Sequence, residues 1–224
     1  MAAAERRFDA LILPAQPHLE WSRKLPIPVV GLGAVASPCT VAMDRSELFR
    51  LGLDGLVARN CRSVGLIHPT ASRLAPPDET ANEWGAEVQR FVEEARQRDL
   101  EVQDAWLRVG PGVDDPATLS TARSGYREFQ ALWEHTERPD GILIGDDIIA
   151  GGVIAAILEA RLSVPGDLQL VSQKNRHVDL FCPFPIGHVV LDEREIAAAL
   201  LEQIRAQFGR RAERGRTIAF TLES

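Results

Sequence analysis

Residues 138–172 read RPDGILIGDDIIAGGVIAAILEARLSVPGDLQLVS. Gly141–Gly145 is a short apolar run of the kind that forms a strand buried on both faces. Asp146 and Asp147 follow at its carboxyl end. Ile149, Val153, Ile154, Ile157 and Leu158 recur at helical spacing and predict a helix with one apolar face. Ser163-Val164-Pro165-Gly166-Asp167 ends it, because proline cannot continue a helix and glycine turns freely. Leu168–Val171 is the next apolar strand. Strand, helix and strand at this length predict a right-handed βαβ unit. Open α/β sheets bind ligands outside the carboxyl ends of their strands, which is where Asp146 and Asp147 fall.

The order of small motifs in this stretch is specific. Arg138-Pro139-Asp140-Gly141 precedes the strand, Asp146-Asp147 follows it, Ala150-Gly151-Gly152 lies in the helix, and Val164-Pro165-Gly166-Asp167 precedes the second strand. This string resembles the effector-binding core of the lactose/galactose-repressor family of transcription regulators. That family runs Arg-Pro-Asp-Ala, Asn-Asp, Ala-x-Gly and Val-Pro-x-Asp in the same order. The resemblance implies the α/β fold of type I periplasmic binding proteins, with two Rossmann-like lobes.

Working towards the amino terminus, Asp115-Pro116 begins a helix in the preferred way, with Tyr126, Phe129, Leu132 and Trp133 on its apolar side. Val102–Trp106 reads as a strand. Thr80 and Glu83 have capping-box spacing ahead of a helix running to Arg98. Ser63–Ile67 is a strand, and Asp44 with Glu47 forms a second capping box for a helix ending near Arg59. Thr40–Met43, Val29–Leu32 and Phe8–Leu13 are further strands, and His18–Leu25 has room for two helical turns. Phe8-Asp9-Ala10-Leu11-Ile12 and Ile27-Pro28-Val29-Val30 match two strands in the middle of the family's first lobe. Its earlier strands and its helix-turn-helix would precede Met1. Towards the carboxyl terminus, Gly187–Leu191 is extended and Asp192 caps a helix carrying Ile196, Leu200, Ile204 and Phe208. Thr217–Leu222 is a last strand. The expected division is a partial N-terminal subdomain (1–37 and 192–214) and a nearly complete C-terminal one (38–191 and 215–224). On this reading the chain is a fragment or a naturally reduced form.

With 45 % hydrophobic and 25 % charged residues, the chain has the composition of an ordinary globular protein. A net charge of −7 gives no general nucleic-acid footprint. No run reaches the roughly 18 apolar residues that span a bilayer, and Ala10–Ala15 is too short for a signal peptide. Cys39, Cys61 and Cys182 lack ligand spacing and are expected as reduced thiols. No nucleophile elbow, zinc motif or phosphate-binding loop occurs, so no catalytic residue, metal ligand or cofactor is assigned.

The candidate ligand-binding residues are Gly33, Asp78, Asn82, Trp84, Asp146 and Lys174. Asp146 stands where the family has an asparagine that reaches a sugar hydroxyl, and a carboxylate accepts such bonds. Its alternative is a turn cap, the role expected of Asp147. Trp84 is a candidate for stacking on a ligand, and burial on its helix's apolar stripe is the other reading. Asn82 stands where many relatives carry arginine, Lys174 where many carry aspartate, and Gly33 where some sugar binders carry aspartate. These departures from the family pattern predict that any effector that binds is not a simple neutral hexose. Alternatively Lys174 points to solvent or pairs with Asp146, and the truncated cleft takes no ligand.

The function so implied is ligand sensing by a cytoplasmic, homodimeric regulator. A small effector, a sugar or sugar derivative, would bridge the lobes and alter DNA binding by a part outside this chain. Leu48, Leu51 and Leu53 supply apolar residues for the dimer. A periplasmic solute-binding protein is the second reading, and an enzyme on a doubly wound sheet the third.

Overall fold

Apolar runs separated by polar turns become the strands of two parallel sheets. The structure is a computed structural model that describes residues 8–13, 24–33, 39–68, 77–109, 122–209 and 215–223; for 77–86 and 109 it describes the backbone alone. The elements are β1 (Leu11–Leu13), β2 (Val29–Gly33), β3 (Thr40–Met43), α1 (Arg45–Val57), β4 (Val64–His68), α2 (Pro77–Arg96) and β5 (Leu107–Val109). They continue with α3 (Ala122–Trp133), β6 (Gly141–Ile144), α4 (Asp147–Glu159), β7 (Gln169–Asn175), β8 (Gly187–Leu191), α5 (Glu193–Phe208), β9 (Arg216–Ile218) and β10 (Phe220–Glu223). The chain forms two units, 1–45 with 192–219 and 46–191 with 220–224.

The first unit holds a sheet of order β1-β2-β3-β9, in which every pairing is parallel. Helix α5 packs on it, with Ile196, Ala199 and Leu200 buried. Asp192 caps α5 as expected, accepting from the Arg194 amide. The Gln207 side chain both accepts from the Val29 amide and donates to the Val29 carbonyl, each at 2.9 Å, and so completes the hydrogen bonding at the start of β2. Strand β3 was expected in the C-terminal subdomain, but its partners are β2 and β9. The expected last strand is two: β9 joins this sheet, and β10 pairs with β8 in the other unit. Pairing is long-range, and local apolar pattern does not encode it.

The second unit holds a six-stranded sheet of order β10-β8-β7-β6-β4-β5. It is parallel except for the edge pairing of β10 with β8. Side chains alternate between its faces. Ile142, Ile144, Leu168 and Leu170 join α3 and α4 in one core with Phe129, Ile149 and Val153. On the opposite face Leu143 meets Gly52 and Val171 meets Gly55, both on α1. Leu48 and Leu53 are buried, leaving only the partly buried Leu51 of the three leucines expected at a dimer surface.

Three local expectations change. Residues 102–106 do not form a strand; Asp104–Trp106 is a 3-10 turn and β5 follows it. The Trp106 indole is buried and donates to the Glu137 carbonyl at 3.0 Å, which favours the turn over an extended path. Thr80 is no cap, because α2 already begins at Pro77. Leu158, expected on the buried face of α4, is 51 % exposed. The start expected for a helix at Asp115-Pro116 and the turns expected at 18–23 lie outside the described residues.

Candidate functional site

The motif residues ahead of the strands act as fasteners. Asp140 accepts from the Arg62 amide at 3.0 Å and from the Ser63 amide at 2.9 Å. The Ser63 hydroxyl lies within hydrogen-bonding distance of both the Asp140 carboxylate and its amide. These bonds tie the start of β6 to the start of β4. Asp167 accepts from the Ser163 amide at 2.7 Å and closes the turn before β7. Arg138 lies 4.7 Å over the Trp133 ring, within cation–π range. A pocket of about 180 Å³ opens at this amino end of the sheet, beside Arg59, Cys61, Asp140 and Asp167. Its acids already serve backbone amides. Burial and nearby Asp140 push the Cys61 thiol up to about 12, so it offers no thiolate nucleophile.

The carboxyl ends of the same strands gather different groups. Asp146 has extended backbone and is the N-cap of α4, accepting from the Ile148 and Ile149 amides at 2.7 and 3.2 Å. Asp147 is 9 % exposed and turns towards β7. It accepts from the Asn175 amide at 3.1 Å and from the Asn175 side-chain Nδ2 at 3.2 Å. The cap expected of Asp147 is therefore made by Asp146, its alternative reading, and Asp147 instead clamps the end of β7. Both answer the same demand, since anions are favoured at a helix amino terminus. Asn175 thereby joins the site, and only its neighbour's position suggested it in the sequence.

Lys174 precedes Asn175 on β7 and pairs with Val190 of β8. It is partly buried. It lies two residues beyond Ser172, the last position of β7 paired with β6. His188 faces the same side of the sheet, opposite Ser172. Burial holds the imidazole below its ordinary value; Lys174 and Arg59 push the same way, while Glu223 and a backbone hydrogen bond at Ser172 oppose them. Its buried Nδ1 has no hydrogen-bond partner among the described residues. His68, at the end of β4, is buried edge-on to Phe49, with ring centroids 6.0 Å apart. A Cβ at Gly145 would strike the His68 ring, so only glycine fits there.

Of the six expected ligand residues, Asp146 and Lys174 thus fall at the carboxyl ends of adjacent strands in the second unit. Gly33 ends β2 in the first unit. Asp78, Asn82 and Trp84 lie on α2, and their side chains are outside the described residues.

The model of the periplasmic binding protein-like domain matches residues 53–222. The chain belongs to this family. Over 190 residues it is 27 % identical to the HTH-type transcriptional repressor PurR of Serratia proteamaculans, covering 80 % of this chain and 51 % of that protein. The chain thus spans about half the length of the curated relatives it matches. Among solved structures it is similar to a LacI family transcription regulator from Clostridium acetobutylicum, with a TM-score of 0.76 and 18 % identity over 98 % of this chain and 79 % of that one. It is also similar to the Cra transcriptional dual regulator from Pseudomonas putida, determined with fructose 1-phosphate. The TM-score is 0.72 and the identity 22 %, over all of this chain and 79 % of that one. The resemblance read from residues 138–172 and the fold it implied are borne out.

Proposed function

We propose that this chain is the ligand-sensing part of a lactose/galactose-repressor-type transcription regulator, not an enzyme. The observation that carries the reading is the polar cluster of Asp146, Asp147, Lys174 and Asn175 at the carboxyl ends of β6 and β7, the place where open α/β sheets take small ligands. The matched repressors support it. A small-molecule effector binds there and shifts the populations of two conformations. The shift alters DNA binding by a part outside these residues, which is a coupling free energy between two sites. Asp78, Asn82 and Trp84, on α2 of the same unit, are further candidates for contact with the effector. The regulator works in the cytoplasm as a homodimer, a reading that rests on the family. No helix among the described residues is long and apolar enough to cross a membrane.

A thermal-shift screen against sugars, sugar acids, sugar phosphates and nucleobases tests the reading. The expected result is a reproducible rise in Tm with one chemical class, without turnover of the compound. Ligand binding at a hundred times Kd stabilises by about 2.7 kcal/mol, which such a screen resolves. Chemical conversion of a stabilising compound would contradict the reading and favour an enzyme.

A further inference from the structure

We propose that Lys174 is the anion-recognising residue of the effector site, so that the effector carries a carboxylate or a phosphate. The inference rests on the ligand-sensing reading above and names the chemistry of the same site. No nearby acid is ion-paired with the lysine among the described residues. Asp146 spends its Oδ1 on two amides at the head of α4. Asp147 is buried and spends its Oδ2 on Asn175. Glu223, on the far side of His188, is paired with Arg176 at 3.0 Å. Among the described residues the Lys174 side chain makes no hydrogen bond or ion pair, although the residue is partly buried.

A lysine ammonium has three donors and no acceptor. At this sheet edge it is a cationic donor without an ion-pair partner among the described residues, free to donate to a ligand's anionic oxygens. His188 shares its side of the sheet and is held towards the neutral form by burial and by Lys174; Arg59 adds to this and Glu223 opposes it. An anion seated on Lys174 offsets the lysine's field at His188 and favours the imidazolium.

Calorimetry on the full chain with glucose, gluconate, glucose 6-phosphate, acetate and inorganic phosphate tests the proposal, with Lys174→Ala, Lys174→Gln and Lys174→Arg in parallel. NMR titration of the His188 ring, assigned with His188→Gln, supplies a second readout. A gluconate or sugar-phosphate complex is expected, with glucose at least tenfold weaker. Lys174→Ala and Lys174→Gln should weaken the acidic ligand by about tenfold to a hundredfold, as for loss of a charge-assisted hydrogen bond. Lys174→Arg should keep most of the affinity, and ligand should move the His188 titration upwards. Glucose binding as tightly as its acid or phosphate, indifferent to Lys174→Ala, would overturn the anion inference and leave the sensing reading standing. Inorganic phosphate binding as tightly as the sugar phosphate would also overturn it, since the lysine would then be a bare anion spot. Binding by no compound of the panel, with none found in the wider screen, would overturn both.

Discussion

At the residue scale, two adjacent aspartates divide one task. Asp146 satisfies two of the amides that a helix start leaves unpaired, and Asp147 ties that start to β7. Asp146→Ala should destabilise the second unit by about 1 kcal/mol, the usual cost of a lost N-cap, while Asp146→Asn should cost little. Asp147→Ala leaves the Asn175 donors without their acceptor and should cost about 1–3 kcal/mol. Urea unfolding of the three variants checks both values. The sequence made a capping aspartate legible but not which of the two caps. Deciding that requires Asn175, 28 residues on, to lie beside Asp147. His188 was equally hidden, since its position is defined by strand pairing with Ser172. Its imidazole titrates below the ordinary 6.5 in the folded chain, so the unfolded chain binds the proton more readily. Stability should therefore fall as pH drops through 6.5 and level off below the folded value. His188→Gln should remove this component from a stability–pH series, and an unchanged slope would contradict the assignment.

At the element scale, α3 and α4 are in close contact. A Cβ on Gly152 would strike the Ala122 carbonyl oxygen, and one on Gly125 the Ile149 carbonyl oxygen. Backbone cannot yield as a flexible side chain does. Gly152→Ala should therefore cost about 1–3 kcal/mol through overpacking. Gly151, its neighbour, would place a Cβ in open space, so Gly151→Ala should stabilise by about 0.5–1 kcal/mol through helix propensity. Opposite signs in paired denaturation curves are the expected outcome. The Ala-Gly-Gly string identified the helix and the family in the sequence, but only the packing separates the two glycines. The strong apolar runs, β3, β6 and β8, were legible to within a residue. Residues 102–106 were not, because the local sequence does not reveal that the Trp106 indole reaches the Glu137 carbonyl.

At the scale of the whole molecule, two of the motifs that carried the resemblance, Arg138–Gly141 and Val164–Asp167, lie at the opposite end of the second sheet from the residues proposed to bind a ligand. Asp140 and Asp167 fasten its amino end, whereas Asp146 and Lys174 stand at its carboxyl end. The fold was therefore more legible than the site: Asp140 and Asp167 lie within motifs readable as strings, while Asp146 and Lys174 come to one end of the sheet only through strand pairing. The proposed dimer can no longer draw on Leu48 and Leu53, which are buried. Phe181, 80 % exposed, and exposed Val178 are apolar surface of the kind association covers. Sedimentation at about tens of micromolar should give a dimer that Phe181→Ser weakens, and a monomer at that concentration would contradict the assembly. On the proposed reading a small effector binds at the carboxyl ends of β6 and β7. Amide hydrogen exchange of the full chain, with and without the stabilising compound from the screen, measures this directly. The account predicts added protection in residues 145–149 and 172–176. Protection confined to 59–63, 138–141 and 163–169, around the pocket at the amino end, would contradict it.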